Sequence, residues 1–268
     1  MILDFTISNF RSIREPQTIS FEASKDTHLE DYYVIKKGDY RILKMGVILG
    51  ANASGKSNVV RAFDLFPKLM LYPCENKTSN IEYDKFQLDK ESAQQDSIII
   101  INFLCGEQKY RYEVHFNNKM VTYELLQRHP FGELRTHKVF ERITNKESFV
   151  ATIKWGDKFR PNAATKALNI NLLHNRTVFG AYQSSNIEIS WMKEIVDWVH
   201  KYYFANFGLL STEVLSEESL NELISNIIET KLIDKKKMAI QLQKADIGVS
   251  DFFIEKRTKD IPKYVIEL

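Results

Sequence analysis

The sequence predicts an α/β fold with a central sheet, an antiparallel β lobe and a helical lobe. Three observations indicate this class: strand-like alternation in the first part of the chain, a glycine-rich turn between an apolar run and an amphipathic helix, and helical periodicity beyond Pro161. At 268 residues, the chain has room for one large domain or two modest ones.

Three segments before the glycine-rich turn have the composition of strands. Residues 2–7 and 18–23 alternate apolar with polar side chains and are expected to pair as half-buried strands. Residues 42–49 form an almost continuous apolar run, which predicts a strand buried on both faces and ended by Gly50. Residues 45–49 are therefore expected to lie at the middle of the central sheet.

Five later segments also alternate in the manner of strands, and turn signals such as Cys105-Gly106 and Asn117-Asn118 separate them. They are residues 97–104, 110–116, 120–126, 138–143 and 149–155. Short turns between successive strands predict an antiparallel meander, which forms a lobe over residues 81–155.

Helical spacing of apolar residues occurs first in residues 57–66, where Pro67 is expected to end or kink the helix or to start another. Beyond Pro161 there are two more apolar stripes, Ile189, Met192, Ile195, Val196 and Val199, then Leu220, Leu223, Ile224, Ile227, Ile228 and Leu232. The expected organisation is an N-terminal lobe over residues 1–160, a helical lobe over 161–250 and the start of a further strand segment over 251–268.

Residues 50–57 read GANASGKS and match the phosphate-loop pattern G-x-x-x-x-G-K-[ST], between an apolar run and a helix. Gly50 lets the chain turn sharply, and Gly55 lets the backbone approach phosphate oxygens. Amide N–H groups of the loop and of the helix N-terminus then point at the anion. Lys56 is expected to reach the β and γ phosphates, and the Ser57 hydroxyl to bind Mg²⁺. The loop therefore predicts a site for ATP and Mg²⁺.

With Asn52 and Asn58 included, the loop resembles the Walker A loop of ABC-type ATPases of the SMC, RecF and OLD classes. The opening NFRS, residues 9–12, is similar to the start of those ATPase heads. Together with YDKFQLD (83–89), YELL (123–126) and ADIGVSD (245–251), these motifs resemble the RloA-like, OLD-like bacterial AAA family ATPases of phage-defence and abortive-infection operons. The resemblance covers nearly the whole chain and implies a P-loop NTPase of the ABC type.

The resemblance also implies a set of site residues. The residues expected to contact the nucleotide are Gly50, Asn52, Ala53, Ser54, Gly55, Lys56, Ser57, Asn58 and Arg11. Gln183 lies between the two lobes, where the family has a glutamine that senses Mg²⁺ and the γ-phosphate, and would join Ser57 at the metal. The alternatives that Arg11 is an exposed arginine at a strand end and that Gln183 is a solvated loop residue stay open.

Hydrolysis also requires an apolar strand that ends in Asp followed by Glu, and no apolar run in the chain ends in this way. A signature comparable to LSGG is absent as well, and Leu209-Leu210-Ser211-Thr212 is only similar to it. In the family these parts follow the segment that ends here, so the chain is expected to be the N-terminal portion of a longer ATPase. No catalytic residue is assigned.

Composition excludes several other classes of protein. Hydrophobic residues make up 44% of the chain and charged residues 27%, as in folded globular proteins. A formal net charge of +2 is too small to indicate nucleic-acid binding over the whole surface, so DNA is a possible partner that the sequence does not indicate. Cys74 and Cys105 lack the spacing of a zinc site or disulfide framework. No apolar run approaches the ~18 residues of a membrane span, and a cytoplasmic protein is expected.

Three functional hypotheses follow. In the first, two or more copies sandwich ATP between their heads and control an effector, which the resemblance implies to be an RloB-like or TOPRIM nuclease or toxin. In the second, the chain is a nucleotide-sensing scaffold that does not hydrolyse ATP. The third is a DNA-repair ATPase similar to SMC and RecF proteins, although no sustained heptad pattern predicts the long arm of those proteins. The phosphate loop serves all three and does not distinguish them.

Overall fold

The structure, a computed structural model, describes residues 1–72, 74–133, 135–159 and 162–203. These residues fall within the first of two compact units of the chain, Met1–Ser211. They form a large antiparallel sheet, a separate β-hairpin and several helices. The predicted α/β class is confirmed.

The elements have the following bounds. The strands are β1 (Ile2–Ser8), β2 (Gln17–Ser20), β3 (Val34–Lys37), β4 (Tyr40–Leu43), β5 (Ser97–Cys105), β6 (Gln108–Phe116), β7 (Val121–Pro130), β8 (His137–Thr144) and β9 (Ala151–Trp155). The helices are α1 (Glu30–Tyr33), α2 (Lys56–Leu71), α3 (Ala163–Asn171), α4 (Val178–Gln183) and α5 (Ser190–Trp198). Short helical turns cover Ser92–Gln94 and Asp157–Phe159, and a π-helical turn, Val199–Tyr203, follows α5.

Seven strands form the large sheet in the order β2-β1-β5-β6-β7-β8-β9, and each neighbouring pair is antiparallel. The predicted pairing of the first two strands and the predicted five-stranded meander are both confirmed. Because β1 also pairs with β5, with Phe5 opposite Ile101, the meander continues the first two strands and is not a lobe apart from them. Strands β3 and β4 form a two-stranded sheet of their own, and an isolated antiparallel bridge joins Ile42 of β4 to Glu22, just after β2.

One face of the sheet carries the core. In β5 the alternate residues Ile99, Ile101 and Phe103 are fully buried, as expected for a strand with one covered face. Helix α2 packs on this face through aromatic rings, with the centroids of Phe5 and Phe63 separated by 4.2 Å. Other contacts of this kind join Phe66 to Tyr112, Tyr112 to Phe179 and Phe103 to Trp198. The helices therefore pack against one face of an antiparallel sheet, and a smaller cluster of Leu3, Ile42 and Leu104 joins the β3–β4 hairpin to β1 and β5.

Helix α2 continues through Pro67 and ends at Leu71, the residue before its C-cap. Proline removes one hydrogen bond to the carbonyl four residues earlier, which disfavours it inside a helix by about 3 kcal/mol. On this helix Phe63, Phe66 and Met70 are almost completely buried. Each buried side chain of this size contributes roughly 1.5–3 kcal/mol, so packing against the sheet outweighs the proline. The helix therefore neither ends at Pro67 nor starts again there, and these two predicted outcomes are wrong.

The predicted central strand over residues 45–49 does not form. Strand β4 ends at Leu43, and the backbone hydrogen bond from Lys44 N–H to the Tyr33 carbonyl is the last one before the loop. Met45, Val47 and Leu49 are 65%, 69% and 87% exposed. A strand requires a hydrogen-bonded neighbour for its backbone groups, and no described strand pairs with this run. The prediction that the sheet is built around it is therefore wrong for the part of the chain that the structure describes.

The helical region begins at α3, as the change of period beyond Pro161 predicts. Asn162 caps this helix, and its side chain and that of Thr165 form a reciprocal capping box. The next predicted stripe is also confirmed, since Ile189, Met192, Ile195, Val196 and Val199 are all buried. The predicted stripe over residues 220–232 and the strand segment over 251–268 lie outside the described residues. In the described ranges, no helix combines the length and apolarity needed to cross a membrane.

Candidate functional site

The glycine-rich loop lies exposed at the N-terminus of α2, and its two glycines are required for different reasons. Gly55 is the N-cap residue and has a left-handed backbone with φ of 96°, which side chains rarely adopt. At Gly50 the backbone angle is ordinary, but a Cβ atom would lie 2.8 Å from the Ser54 hydroxyl oxygen. Ala53 is also left-handed, with φ of 63°. The loop therefore has a tight conformation that larger side chains at Gly50 and Gly55 would disfavour.

The main chain of the loop presents free donors. The Ser54 N–H donates to the Ala51 carbonyl, and the Asn58 N–H to that of Gly55. None of the hydrogen bonds of the described residues uses the N–H of Asn52, Ala53, Gly55, Lys56 or Ser57. These donors are grouped in one loop and the first turn of one helix, at the positive end of its dipole. The arrangement suits an anion that accepts several hydrogen bonds at once.

The Lys56 ammonium bonds to the loop itself. Its Nζ donates to the Gly50 carbonyl at 2.7 Å and to the Ala51 carbonyl at 2.6 Å. Both acceptors are exposed, so water can replace the lysine there, and each such bond contributes only about 1 kcal/mol net. A phosphate carries full negative charge and is a stronger acceptor for an ammonium group. The two carbonyl groups therefore compete only weakly with a bound anion for the Lys56 ammonium group.

Ser57 lies in the first turn of α2 and is exposed, and no described side chain bonds to its hydroxyl. Mg²⁺ prefers oxygen ligands and usually keeps several waters beside phosphate oxygens. Ser57 therefore fits as one protein ligand of a nucleotide-bound Mg²⁺. The described residues include no cluster of three or more His, Cys, Asp or Glu side chains that could hold a metal ion by itself.

The structure places the opening motif against the loop. The Asn58 side chain donates from Nδ2 to the Ser12 Oγ at 2.7 Å, and the same oxygen would lie 3.3 Å from a Cβ atom on Gly55. Asn9 anchors the turn that carries Ser12, because its side-chain Nδ2 donates to the backbone carbonyls of Ser92 and Gln95. The Asn58 side chain therefore bonds to another residue of the protein, whereas the sequence predicts that it contacts the nucleotide. Ser12 was not predicted as a site residue, although it belongs to the NFRS motif.

Arg11 lies next to Ser12 in the chain, but its guanidinium is directed at another partner. Its Nη2 forms an ion pair with Asp84 at 2.6 Å, and its backbone N–H donates to the Asp84 carbonyl. No described contact joins the Arg11 side chain to the loop. The ion pair instead links two of the motifs that carry the family resemblance, NFRS and YDKFQLD. A second ion pair, between Arg14 and Asp89, reinforces this link.

Gln183 is exposed at the C-terminal end of α4 and lies away from the loop. The N-cap of α4, Thr177, donates from its hydroxyl to the Met70 carbonyl in the last turn of α2. Helix α2 has 16 residues and is about 24 Å long, and α4 has 6 residues and spans about 9 Å. Even if α4 points directly toward the loop, Gln183 does not reach it. The structure does not bring Gln183 and Ser57 together.

A buried polar network fixes the N-terminus of α4 to the sheet. The fully buried Glu124 carboxylate accepts from the Tyr112 hydroxyl at 2.9 Å and from the Val178 N–H at 2.8 Å. Arg142, also fully buried, donates to the carbonyls of Val121, Leu173 and His174. Burial raises the pKa of Glu124 to about 7 and lowers that of Arg142 to about 10. Sequence reasoning missed both residues, because the alternation of their strands gives no sign of a charge facing the core.

A scan against protein-family models and a search of curated protein sequences gave no match to this chain. The resemblance to the OLD-like ATPases therefore depends on the quoted motifs alone. The geometry of the loop is independent of that resemblance, and it supports anion binding by its own chemistry.

Proposed function

We propose that this chain binds Mg-ATP at residues 50–57 and serves as the ATPase subunit of a system that controls a partner effector. The observation that carries the proposal is the group of unpaired main-chain donors at the N-terminus of α2 beside the Lys56 ammonium. The positive end of the helix dipole and the lysine charge both favour a polyphosphate over a neutral ligand. The P-loop NTPase assignment belongs to this proposal, since the described sheet is antiparallel and lacks a strand at residues 45–49.

The biological setting of the proposal comes from the resemblance. It implies a cytoplasmic phage-defence or abortive-infection system in which two or more copies bind ATP between their heads. The partner would be an RloB-like or TOPRIM nuclease or toxin whose activity follows the nucleotide state. Arg11 and Gln183 would have to move to join such a site, because neither side chain contacts the loop in this structure.

A nucleotide sensor that does not hydrolyse ATP is the second candidate, and one observation favours it. Hydrolysis of a bound nucleotide requires a group that orients or activates water, usually a carboxylate or an amide side chain close to the γ-phosphate. Among the described residues, no acidic side chain forms a hydrogen bond or an ion pair with the loop. Turnover of ATP by the purified chain would exclude this candidate.

The proposal is tested by comparing two lysines of the same helix. Lys56→Ala removes the ammonium group at the loop, whereas Lys68→Ala removes an exposed lysine that pairs with Asp64 near the other end of α2. We expect calorimetry to detect Mg-ATP binding by the unchanged chain and by Lys68→Ala, and a loss of at least about tenfold in affinity for Lys56→Ala. Equal affinities for the two variants, or no binding by the unchanged chain, would refute the proposal.

A further inference from the structure

A cavity remote from the glycine-rich loop is lined by aromatic rings and basic side chains. It has a volume of about 470 Å³ and lies where β7, β9 and the first turns of α3 and α5 meet. We call it the aromatic cavity and define it by Arg128, Trp155, Lys158, Phe159 and Trp191, which all line it. In the sheet, β5 and β6 separate β7 from β1, the strand that leads to Ser12.

The rings of the aromatic cavity are arranged edge to face. The centroids of Phe159 and Trp191 are 5.9 Å apart, and those of Trp155 and Trp191 are 6.5 Å apart, at interplanar angles of 73° and 72°. All three side chains are only partly buried, so each leaves ring surface toward the cavity. Aromatic rings at such a site supply sequence-tolerant stacking surfaces for a planar ligand.

Two basic side chains, Arg128 and Lys158, also line the aromatic cavity. The Arg128 guanidinium lies 4.8 Å from the centroid of Phe159, and its Nε is buried without any hydrogen-bond partner. Buried donors without a partner are rare in folded proteins and require an explanation such as a missing ligand. Lys158 is 53% exposed and lines both this cavity and a neighbouring one. Its Nζ lies 3.5 Å from a Glu133 carboxylate oxygen and 2.9 Å from the His137 Nε2, so a phosphate would compete with these exposed partners for the ammonium group. Glu188 is the one carboxylate among the described lining residues.

From the stacking surface, the unpaired Arg128 donor and the net positive lining, we infer that the aromatic cavity binds a nucleotide through its base and one phosphate. The volume is within the usual range for small-molecule sites, roughly 300–1,000 Å³. The base packs against the tryptophans, and Arg128 and Lys158 receive the phosphate. The same chemistry is present in a free mononucleotide and in an unpaired nucleotide of a single strand. The inference does not depend on ATP binding at residues 50–57.

Tryptophan fluorescence tests this inference, because two of the three tryptophans of the chain line the aromatic cavity. The titrations use Lys56→Ala, so that the phosphate loop does not contribute, with Trp198→Phe added to remove the remaining tryptophan. We expect uridine monophosphate to quench the emission saturably, and uridine or inorganic phosphate alone to bind more weakly. A short oligothymidylate that binds more tightly than the mononucleotide identifies a single strand as the source, and equal or weaker binding identifies the free mononucleotide.

Two variants and a control locate the binding. Trp155→Leu removes a stacking surface and is expected to weaken binding about tenfold. Lys158→Ala changes an exposed side chain, is not expected to disturb folding, and should also weaken binding. Lys146→Ala removes an exposed lysine that pairs with Asp96 elsewhere and should leave the affinity unchanged. The absence of saturable quenching at millimolar mononucleotide, or quenching that neither cavity variant alters, would overturn the inference.

Discussion

Gly55 has a left-handed backbone, and a Cβ atom at this residue would lie 3.3 Å from the Ser12 hydroxyl oxygen. We expect Gly55→Ala to destabilise the fold by about 1 kcal/mol, because alanine resists a positive φ, and also to weaken Mg-ATP binding by distorting the helix N-terminus. Urea unfolding and calorimetry measure the two effects. Gly132→Ala is the control, since Gly132 has φ of 79° and open space around it. It should lose similar stability and keep its affinity, and a similar loss of affinity in both variants would contradict the assigned role of Gly55.

Glu124 makes stability depend on pH in a direction opposite to that of most carboxylates. Its pKa is raised to about 7 by burial, from an ordinary value of 4.5, so the folded state holds a proton that the unfolded state releases between these values. The stabilisation that Glu124 contributes is therefore fully present below about pH 4.5. It is lost as the pH rises toward 7, which lowers the free energy of unfolding by up to about 3 kcal/mol.

Replacing Glu124 with glutamine tests this dependence. Glutamine can still accept from the Tyr112 hydroxyl and the Val178 N–H but does not titrate. We expect the free energy of unfolding to fall less between pH 5 and pH 8 in Glu124→Gln than in the unchanged chain, as measured by urea unfolding across that range. The exposed Glu147→Gln provides the control and should leave the pH profile unaltered. An identical profile in all three proteins would show that Glu124 is already ionised at pH 5.

At the scale of elements, the connection between β1 and β2 supports the first turn of α2 through the bond from Asn58 to Ser12. We expect Ser12→Ala and Asn58→Ala to weaken Mg-ATP binding by similar factors, and the double variant to lose less than the sum, because both changes break one hydrogen bond. Calorimetry on the four proteins of this cycle measures the coupling. If Asn58→Ala alone reduces the affinity, Asn58 contacts the nucleotide directly and the supporting role is wrong.

Helix α4 shows a second relation between elements. Thr177 ties it to the end of α2, while Glu124 ties the same helix N-terminus to the middle of the sheet. Gln183, at the far end of α4, is therefore positioned by anchors that lie away from the phosphate loop. Because α4 is too short to reach the loop from these anchors in any orientation, rotation of the helix alone does not bring Gln183 to Ser57. Gln183 can join the proposed nucleotide site only if the anchors themselves move relative to the loop.

At the scale of the whole molecule, residues 45–49 are apolar and have the composition of a strand, yet they are largely exposed and unpaired. We expect amide hydrogen exchange to be fast over residues 45–49 and slow over β1 and β5, because protection requires hydrogen-bonded amides. The half-buried, paired strands β3 and β4 are the internal control and should exchange at intermediate rates. Slow exchange over residues 45–49 would mean that this run finds a strand partner in solution.

Much of the architecture could be predicted from patterns within short stretches of the sequence. Alternation identified β1 and the five strands of the meander, and the spacing of apolar residues identified α2 and α5, because each pattern follows from the geometry of its own element. Alternation cannot reveal which strand lies beside β1, since that pairing joins residues almost a hundred positions apart, such as Phe5 and Ile101. For the same reason, Ser12 as the partner of Asn58 and Glu124 as the anchor of α4 were not foreseen.

The sequence by itself determined the position of the glycine-rich loop, the helix that follows it and the antiparallel succession of the five meander strands, because short-range geometry and turn chemistry decide these features. Only the tertiary structure decided that residues 45–49 are exposed, that Arg11 pairs with Asp84, that Gln183 lies away from Ser57 and that three aromatic rings surround one cavity. These outcomes depend on which distant residues become neighbours, and a contact between distant segments is a property of the packed chain as a whole.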